Sequence, residues 1–301
     1  MSAGALWGLV FLAPALVREF SPLQLATGRY LFYGLIAMAL VAPRWQALVA
    51  RLPRQQWTNL FWLALTGNTL YYVLLSAAVQ NGGIAMTSLV IGFLPVAVTV
   101  IGSRDHGAVA LSKLLPSLLA CAAGAICIGW QALAGPATGS MAMRLSGLSC
   151  AVGALASWTI YAVGNARCLA RLDQVSSHDW NLLTGVVTGA QSLLLLPLAL
   201  MLGTGQHDAL AWTRLAGVSA GLAVFASIFG NLLWNRMSRL LPLTLVGQMI
   251  LFETLFALLY GFLWERRLPS LPELAALAFV VTSVVTCVAA HRHPARVETA
   301  A

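Results

Sequence analysis

Between Arg54 and Arg104 the chain carries no charged side chain at all. A helix of about twenty apolar residues crosses a bilayer core of about 30 Å at 1.5 Å per residue. This stretch is long enough to cross twice, with Gly82 and Gly83 as the natural turn. The rest of the chain behaves alike: 59% of the 301 residues are hydrophobic and 9% are charged, against about a quarter charged in a soluble domain. The apolar runs are continuous, whereas a membrane barrel alternates lipid-facing and lumen-facing residues in segments of about ten. The expected fold is an all-α integral membrane protein.

Cutting the runs at Pro, Gly and charge predicts ten spans: 2–17, 21–42, 57–79, 83–102, 113–133, 145–167, 177–202, 209–235, 241–263 and 271–290. The first run lacks a basic leader and reads as a retained span. An even number of spans puts both termini on one side. If that side is the cytoplasm, the outer loops hold five basic residues (Arg18, Arg144, Arg214, Arg266, Arg267) and the inner loops and tail eleven. That asymmetry predicts both termini inside. The net charge of +8 therefore reads as orientation and headgroup contact, not nucleic-acid binding. Trp45, Trp57, Trp180, Trp212 and Trp264 fall near span ends, where an interfacial belt is expected. The five cysteines are scattered, without a CxxC pair, and read as small apolar fillers.

The halves echo each other. WTNL (57–60) opens the third span and WTRL (212–215) the eighth, while IGFLPVAVTVIG (91–102) parallels MILFETLFALLYG (249–261). Each half, 1–139 and 140–301, then holds five spans. An odd number forces the second repeat to insert upside down, as in transporters whose site lies between inverted repeats.

Lipid offers no partners for polar groups, so polar residues at helical spacing mark inward faces. Span eight places Ser227, Asn231, Trp234 and Asn235 on one face. Span three places Thr69, Tyr72 and Ser76 together, with Asn68 and Tyr71 beside them. Span six gives Trp158, Tyr161 and Asn165; span one gives Trp7 and Phe11; span nine gives Met249, Glu253, Phe256 and Tyr260. Any single one of these residues is as readily interhelical glue or core filler, but five such faces together suit a cavity with aromatic walls and a few amides. Glycine pairs (Gly4 and Gly8, Gly185 and Gly189, Gly217 and Gly221) read as close helix packing. No phosphate loop, HExxH, GxSxG or DDxxD pattern is present, so ATP-driven pumping and intramembrane hydrolysis lack their chemistry. No catalytic residue, metal ligand set or cofactor is expected.

On these residues the chain resembles the drug/metabolite transporter superfamily in its ten-span EamA-type form. LWGLVF (6–11) is similar to the family's opening LWGxxF, and SPLQLATGRYLFYGLIAMALVAP (21–43) to its second span with one Arg between prolines. ASWTIYAVGNARC (156–168) is similar to the sixth-span W–x–x–Y pattern, and LFETLFALLYGFLWERRL (251–268) to the ninth-span LEPxxAxLxGxxxxGE pattern. Thr254 stands where the family usually has Pro and Trp264 where it has Gly. Within the superfamily, the aromatic walls and LWN (233–235) look most like the YddG-type aromatic amino-acid exporters. The resemblance implies two inverted five-helix repeats around a central cavity, bacterial inner-membrane location and export of small metabolites.

The expected function is thus a secondary transporter exporting aromatic or other hydrophobic amino acids. Rings would stack on Trp7, Tyr72, Trp158, Tyr161 and Trp234, and Asn68, Asn231 and Asn235 would bond the ammonium and carboxylate. The single Lys, Lys113, stands at the edge of the fifth span and none lies in a span interior, which argues against highly anionic substrates. Broad drug efflux is the alternative within transport, and a membrane scaffold or receptor the alternative outside it. The partners expected are a small-molecule substrate and lipid, with no nucleic acid; the unit is a monomer or a homodimer. Glu253, about twelve residues into span nine, and Arg29, about eight into span two, fall at similar depths on the 1.5 Å rise. An acid there needs a partner, a proton or water, and pairing with Arg29 is favoured over proton coupling.

Overall fold

The computed structural model describes residues 2–102, 111–134, 140–172, 175–203, 207–240 and 250–292. Met249, the opening of the predicted ninth span and the loop residues Arg104, Asp105, His106 and Asp173 lie outside them, as do His293 and Arg296. The described residues are helical, without strands.

Helix α1 spans Ser2–Leu16 and α2 Pro22–Val41. Ser21 starts α2 with a capping box: its hydroxyl accepts from the Gln24 amide, and Gln24 accepts in return from the Ser21 amide. A 3-10 turn, Ala42–Arg44, carries the chain into α3, Trp45–Arg51. Next comes α4, Arg54–Gly82, which contains a wider π turn at Leu65–Thr69. Gly83 then reverses the chain at φ 86°, a conformation that costs residues with a Cβ. Helices α5, Ile84–Ile91, and α6, Leu94–Gly102, follow, separated next to Pro95, whose ring nitrogen has no hydrogen to donate.

The remaining helices are α7, Leu115–Ala134; α8, Met141–Leu169; α9, Ser177–Met201; α10, Ala209–Leu240; α11, Ile250–Glu265; and α12, Leu271–Arg292. A second π turn, Ala223–Gly230, interrupts α10. Among the described residues, six helices are long and apolar enough to cross a membrane: Pro22–Arg51, Arg54–Gly82, Met141–Leu169, Ser177–Met201, Ala209–Leu240 and Leu271–Ala290. The predicted first, fourth and ninth spans meet shorter or broken apolar helices instead, while the fifth falls on α7, 20 residues long. For the fourth the reason is the break before Pro95; for the ninth, 241–249 fall outside the described residues.

Burial is inverted relative to a soluble protein. Leu35, Ile126, Leu194 and Met201 face outward at 67%, 71%, 80% and 82% exposure, while Asn165, Asn181, Thr188 and Ser227 are buried at 1% or less. Lipid rewards the first set and forbids the second. Small residues set the closest approaches. A Cβ on Gly34 of α2 would sit 2.6 Å from the Gly189 Cα of α9, and one on Gly4 of α1 would sit 2.8 Å from Phe252 of α11. Gly217 and Gly221 differ from the expected packing role: open space surrounds both. In all, α2 lies along α9, α7 along α12, α4 against α8, and α1 between α10 and α11.

Three sets of contacts tie the ends. At the start of α2, Glu19 pairs with Arg214 at 3.1 Å, and Phe20 packs on His207 and Trp212 with centroids 4.1 and 5.0 Å away. At its far end Arg44 pairs with Asp179 at 2.9 Å. Between α11 and α12, Arg267 grips the buried Glu273 through two bonds of 2.7 Å.

Candidate functional site

Mid-bundle, α1, α2, α4, α8, α10 and α11 converge on one cavity. Its walls are Trp7 and Val10 of α1, Arg29 and Tyr30 of α2, and Gly67, Asn68 and Tyr71 of α4. Trp158 and Tyr161 of α8, Asn231 of α10 and Glu253 of α11 complete it. The cavity is small, about 20 Å³, room for a water-sized group only.

The narrowing has an evident cause. Trp7, Trp158 and Trp234 form a triangle with centroid separations of 5.6, 5.1 and 5.0 Å, and Tyr161 meets Trp158 edge-on at 5.5 Å. Aromatic quadrupoles favour such tilted and edge contacts. The rings thus pack on one another where open faces were expected. Both π turns border this region, as such bulges often do at functional sites. Gly67, in the first, leaves room for the Tyr161 ring, which a Cβ would approach to 2.3 Å; Gly230, in the second, leaves room for the Trp7 indole, at 2.5 Å. Trp7 donates to the Ala226 carbonyl of that turn at 3.1 Å.

Two opposite charges share the cavity wall. The Arg29 Nε donates to Ser227 at 3.1 Å, and its guanidinium carbon lies 4.3 Å from the Tyr72 ring and 4.9 Å from Tyr30. Stacking of this kind disperses the charge over π faces. Its Nη1 is buried without a hydrogen-bond partner. Glu253 is 4% exposed. Among the described residues no ion pair of 4.0 Å or less joins Glu253 to Arg29, so the two line one cavity without the direct pairing expected.

The EamA-like transporter family matches residues 1–130 and 145–289. The chain is also 32% identical over 309 residues to inner membrane protein YtfF of Escherichia coli (strain K12), covering 96% of this chain and 93% of that protein. The chain belongs to the EamA-like transporter family. A solved crystal structure shares the fold of this EamA-like transporter with a TM-score of 0.65 at 17% identity, over 97% of this chain and 96% of that one.

Of the residues singled out in this transporter's sequence, Trp7, Asn68, Trp158, Tyr161 and Asn231 line the cavity with Arg29 and Glu253. Tyr72, Trp234 and Asn235 stand outside the lining. Tyr72 is fully buried under Arg29; Trp234 packs behind Trp7 and Trp158 with its N–H unpartnered. Asn235 accepts from Asn165 at 3.0 Å, and Asn165 accepts from the indole of Trp180 at 2.9 Å. Trp180 is therefore a core residue, 0% exposed, and not the interfacial one expected from its place near a span end.

Sequence reading missed one polar row. Asn181, Thr184, Thr188, Gln191 and Ser192 of α9 are all buried. Thr188 accepts from Asn68 at 3.0 Å, Gln191 accepts from Thr69 at 2.7 Å, and Asn181 donates to the Ile228 carbonyl at 3.1 Å. This row supports both π turns, through the Asn68 and Thr69 side chains of the first and the Ile228 carbonyl of the second. Its spacing, close to multiples of 3.6, was readable. Tyr30 and Gly67 were also missed.

A second cavity, about 400 Å³, opens between the start of α4 and the end of α8, lined by Gln56, Asn59, Trp62, Arg167, Cys168 and Arg171 among others.

Proposed function

We propose that this protein is a secondary transporter that exports aromatic or other hydrophobic amino acids across a bacterial inner membrane by alternating access. The observation that carries the reading is the central cavity. Six helices drawn from both halves of the chain send aromatic, amide and charged groups to one buried point, with tethers at both ends of α2. A scaffold has no use for such a convergence; a carrier that opens to one side at a time does. Aromatic walls suit a partly apolar solute, with Trp7, Trp158 and Tyr161 as the ring-contacting set.

The ten-span, inverted-repeat architecture belongs to this proposal, with α5 and α6 as one broken span. The family match falling on both halves supports it. So does reciprocity of packing: exchanging halves turns the α4–α8 contact into α10–α1, and the α1–α11 contact into that of α8 with α5 and α6. The inner-membrane name of the relative supports the location.

The test is reconstitution in liposomes with labelled tryptophan, phenylalanine, a cationic dye and a nucleotide sugar. Uptake of the amino acids above empty liposomes is expected. Dye flux without amino-acid flux would replace the reading with broad efflux, and no flux at all would remove transport.

A further inference from the structure

We propose that Arg29 and Glu253 form a two-pole site for a zwitterion, in which the guanidinium receives a carboxylate and the Glu253 carboxylate receives an ammonium. The inference rests on the transport reading above and names what that reading leaves open: which groups recognise the charged end of the solute.

Arg29 is 4% exposed and held in one place. Ser227 takes its Nε–H, Tyr72 and Tyr30 cover its faces, and its Nη1 is buried with no partner. A guanidinium has five N–H donors in a fixed fork, suited to two carboxylate oxygens at once. Glu253, also 4% exposed, is on the wall of the same cavity and is joined to no described residue by an ion pair or hydrogen bond. Burying either charge alone is costly, and a direct pair would be the ordinary remedy. The fold instead holds the poles apart on one cavity wall. A group with a negative and a positive end satisfies both; a lone cation leaves Arg29 unpaired, and a lone anion leaves Glu253 unpaired.

Of the three amides first expected to do this work, Asn231 remains on the cavity wall and the other two are engaged elsewhere. Asn68 donates to Thr188, and Asn235 lies outside the lining. An α-amino acid carries both charges on one carbon, and its side chain leaves from that carbon toward Trp7, Tyr71, Trp158 or Tyr161, which share the wall. Admission of the ring requires the indole triangle to part, since the present space takes water-sized groups only.

The test uses the full chain in lipid nanodiscs and its indole fluorescence, titrated with phenylalanine, phenethylamine (no carboxylate) and phenylpropionate (no ammonium). Phenylalanine is expected to bind at least about tenfold more tightly than either, because each analogue strands one pole. Glu253→Gln should erase the preference over phenylpropionate, and Arg29→Gln the preference over phenethylamine, with Arg29→Lys retaining part of the latter. A purely structural or water-bridged pair would not move these preferences separately. Wild-type protein that binds the three equally, or binds none, overturns the inference even if the variants fail to fold. Parallel flux assays separate it from the transport reading: dye flux without phenylalanine preference sinks only the two-pole site, and preference without any flux sinks only transport.

Discussion

Trp7 and Trp234 sit side by side in the aromatic triangle but differ in one hydrogen bond, and that difference is measurable. Trp7 donates to Ala226 whereas the Trp234 N–H has no partner. Replacing Trp7 by Phe should therefore cost an additional 0.5–1.5 kcal/mol or so for the lost bond. Trp234→Phe removes an unsatisfied buried donor, and should lower the melting temperature of the purified protein less. The reverse order would contradict the bonding described here. The charges yield a second expectation. Breaking a direct buried ion pair costs about 3–5 kcal/mol. Because no direct ion pair joins Glu253 to Arg29, Glu253→Gln should cost clearly less, and Arg29→Gln on top of it should recover little. A large loss rescued by the double variant would show a direct pair. Counting 1.5 Å per residue from the span ends placed these two charges at like depth, and they do border one cavity. What depth alone could not show is that Ser227, Tyr72 and Tyr30 already engage Arg29.

At the scale of elements, the two π turns explain where the helical-wheel reading slipped. It took Ser227, Asn231, Trp234 and Asn235 as one face. The turn at Ala223–Gly230 winds wider than 3.6 residues and shifts Ser227, which holds Arg29, relative to the regular helix after it, where Asn231 lines the cavity, Trp234 packs behind it and Asn235 bonds Asn165; all four are buried. The turn at Leu65–Thr69 has a like effect on α4, where Tyr71 lines the cavity and Tyr72 does not. Periodicity cannot see a change of pitch. The glycine contacts were half legible for a related reason, since spacing marks small faces but not what faces them. Gly34→Ala would bring a Cβ to 2.6 Å from the Gly189 backbone, which cannot swing away. It should destabilise by about 1–3 kcal/mol or more. Gly217→Ala meets nothing and sits in a helix, so it should be neutral or stabilising by up to about 1 kcal/mol. Thermal unfolding in detergent distinguishes them, and equal effects would mean that α2 and α9 are not in the contact described.

For the whole molecule, class and family were legible because hydropathy and length leave few alternatives once lipid is the solvent. Orientation follows from charge alone: a carboxy-terminal alkaline phosphatase fusion should be inactive and a green fluorescent protein fusion bright, since both termini are expected in the cytoplasm. An active phosphatase would invert the topology. The deeper claim is that solute passes through the cavity that Trp158 helps to wall. Counterflow of labelled phenylalanine into proteoliposomes preloaded with unlabelled phenylalanine tests it most directly, with wild-type and Trp158→Ala proteins reconstituted at equal folded amounts. The account predicts accumulation several-fold above empty liposomes for the wild type and about a tenfold lower initial rate for the variant, equivalent to about 1.4 kcal/mol. Equal rates from both folded proteins would contradict it.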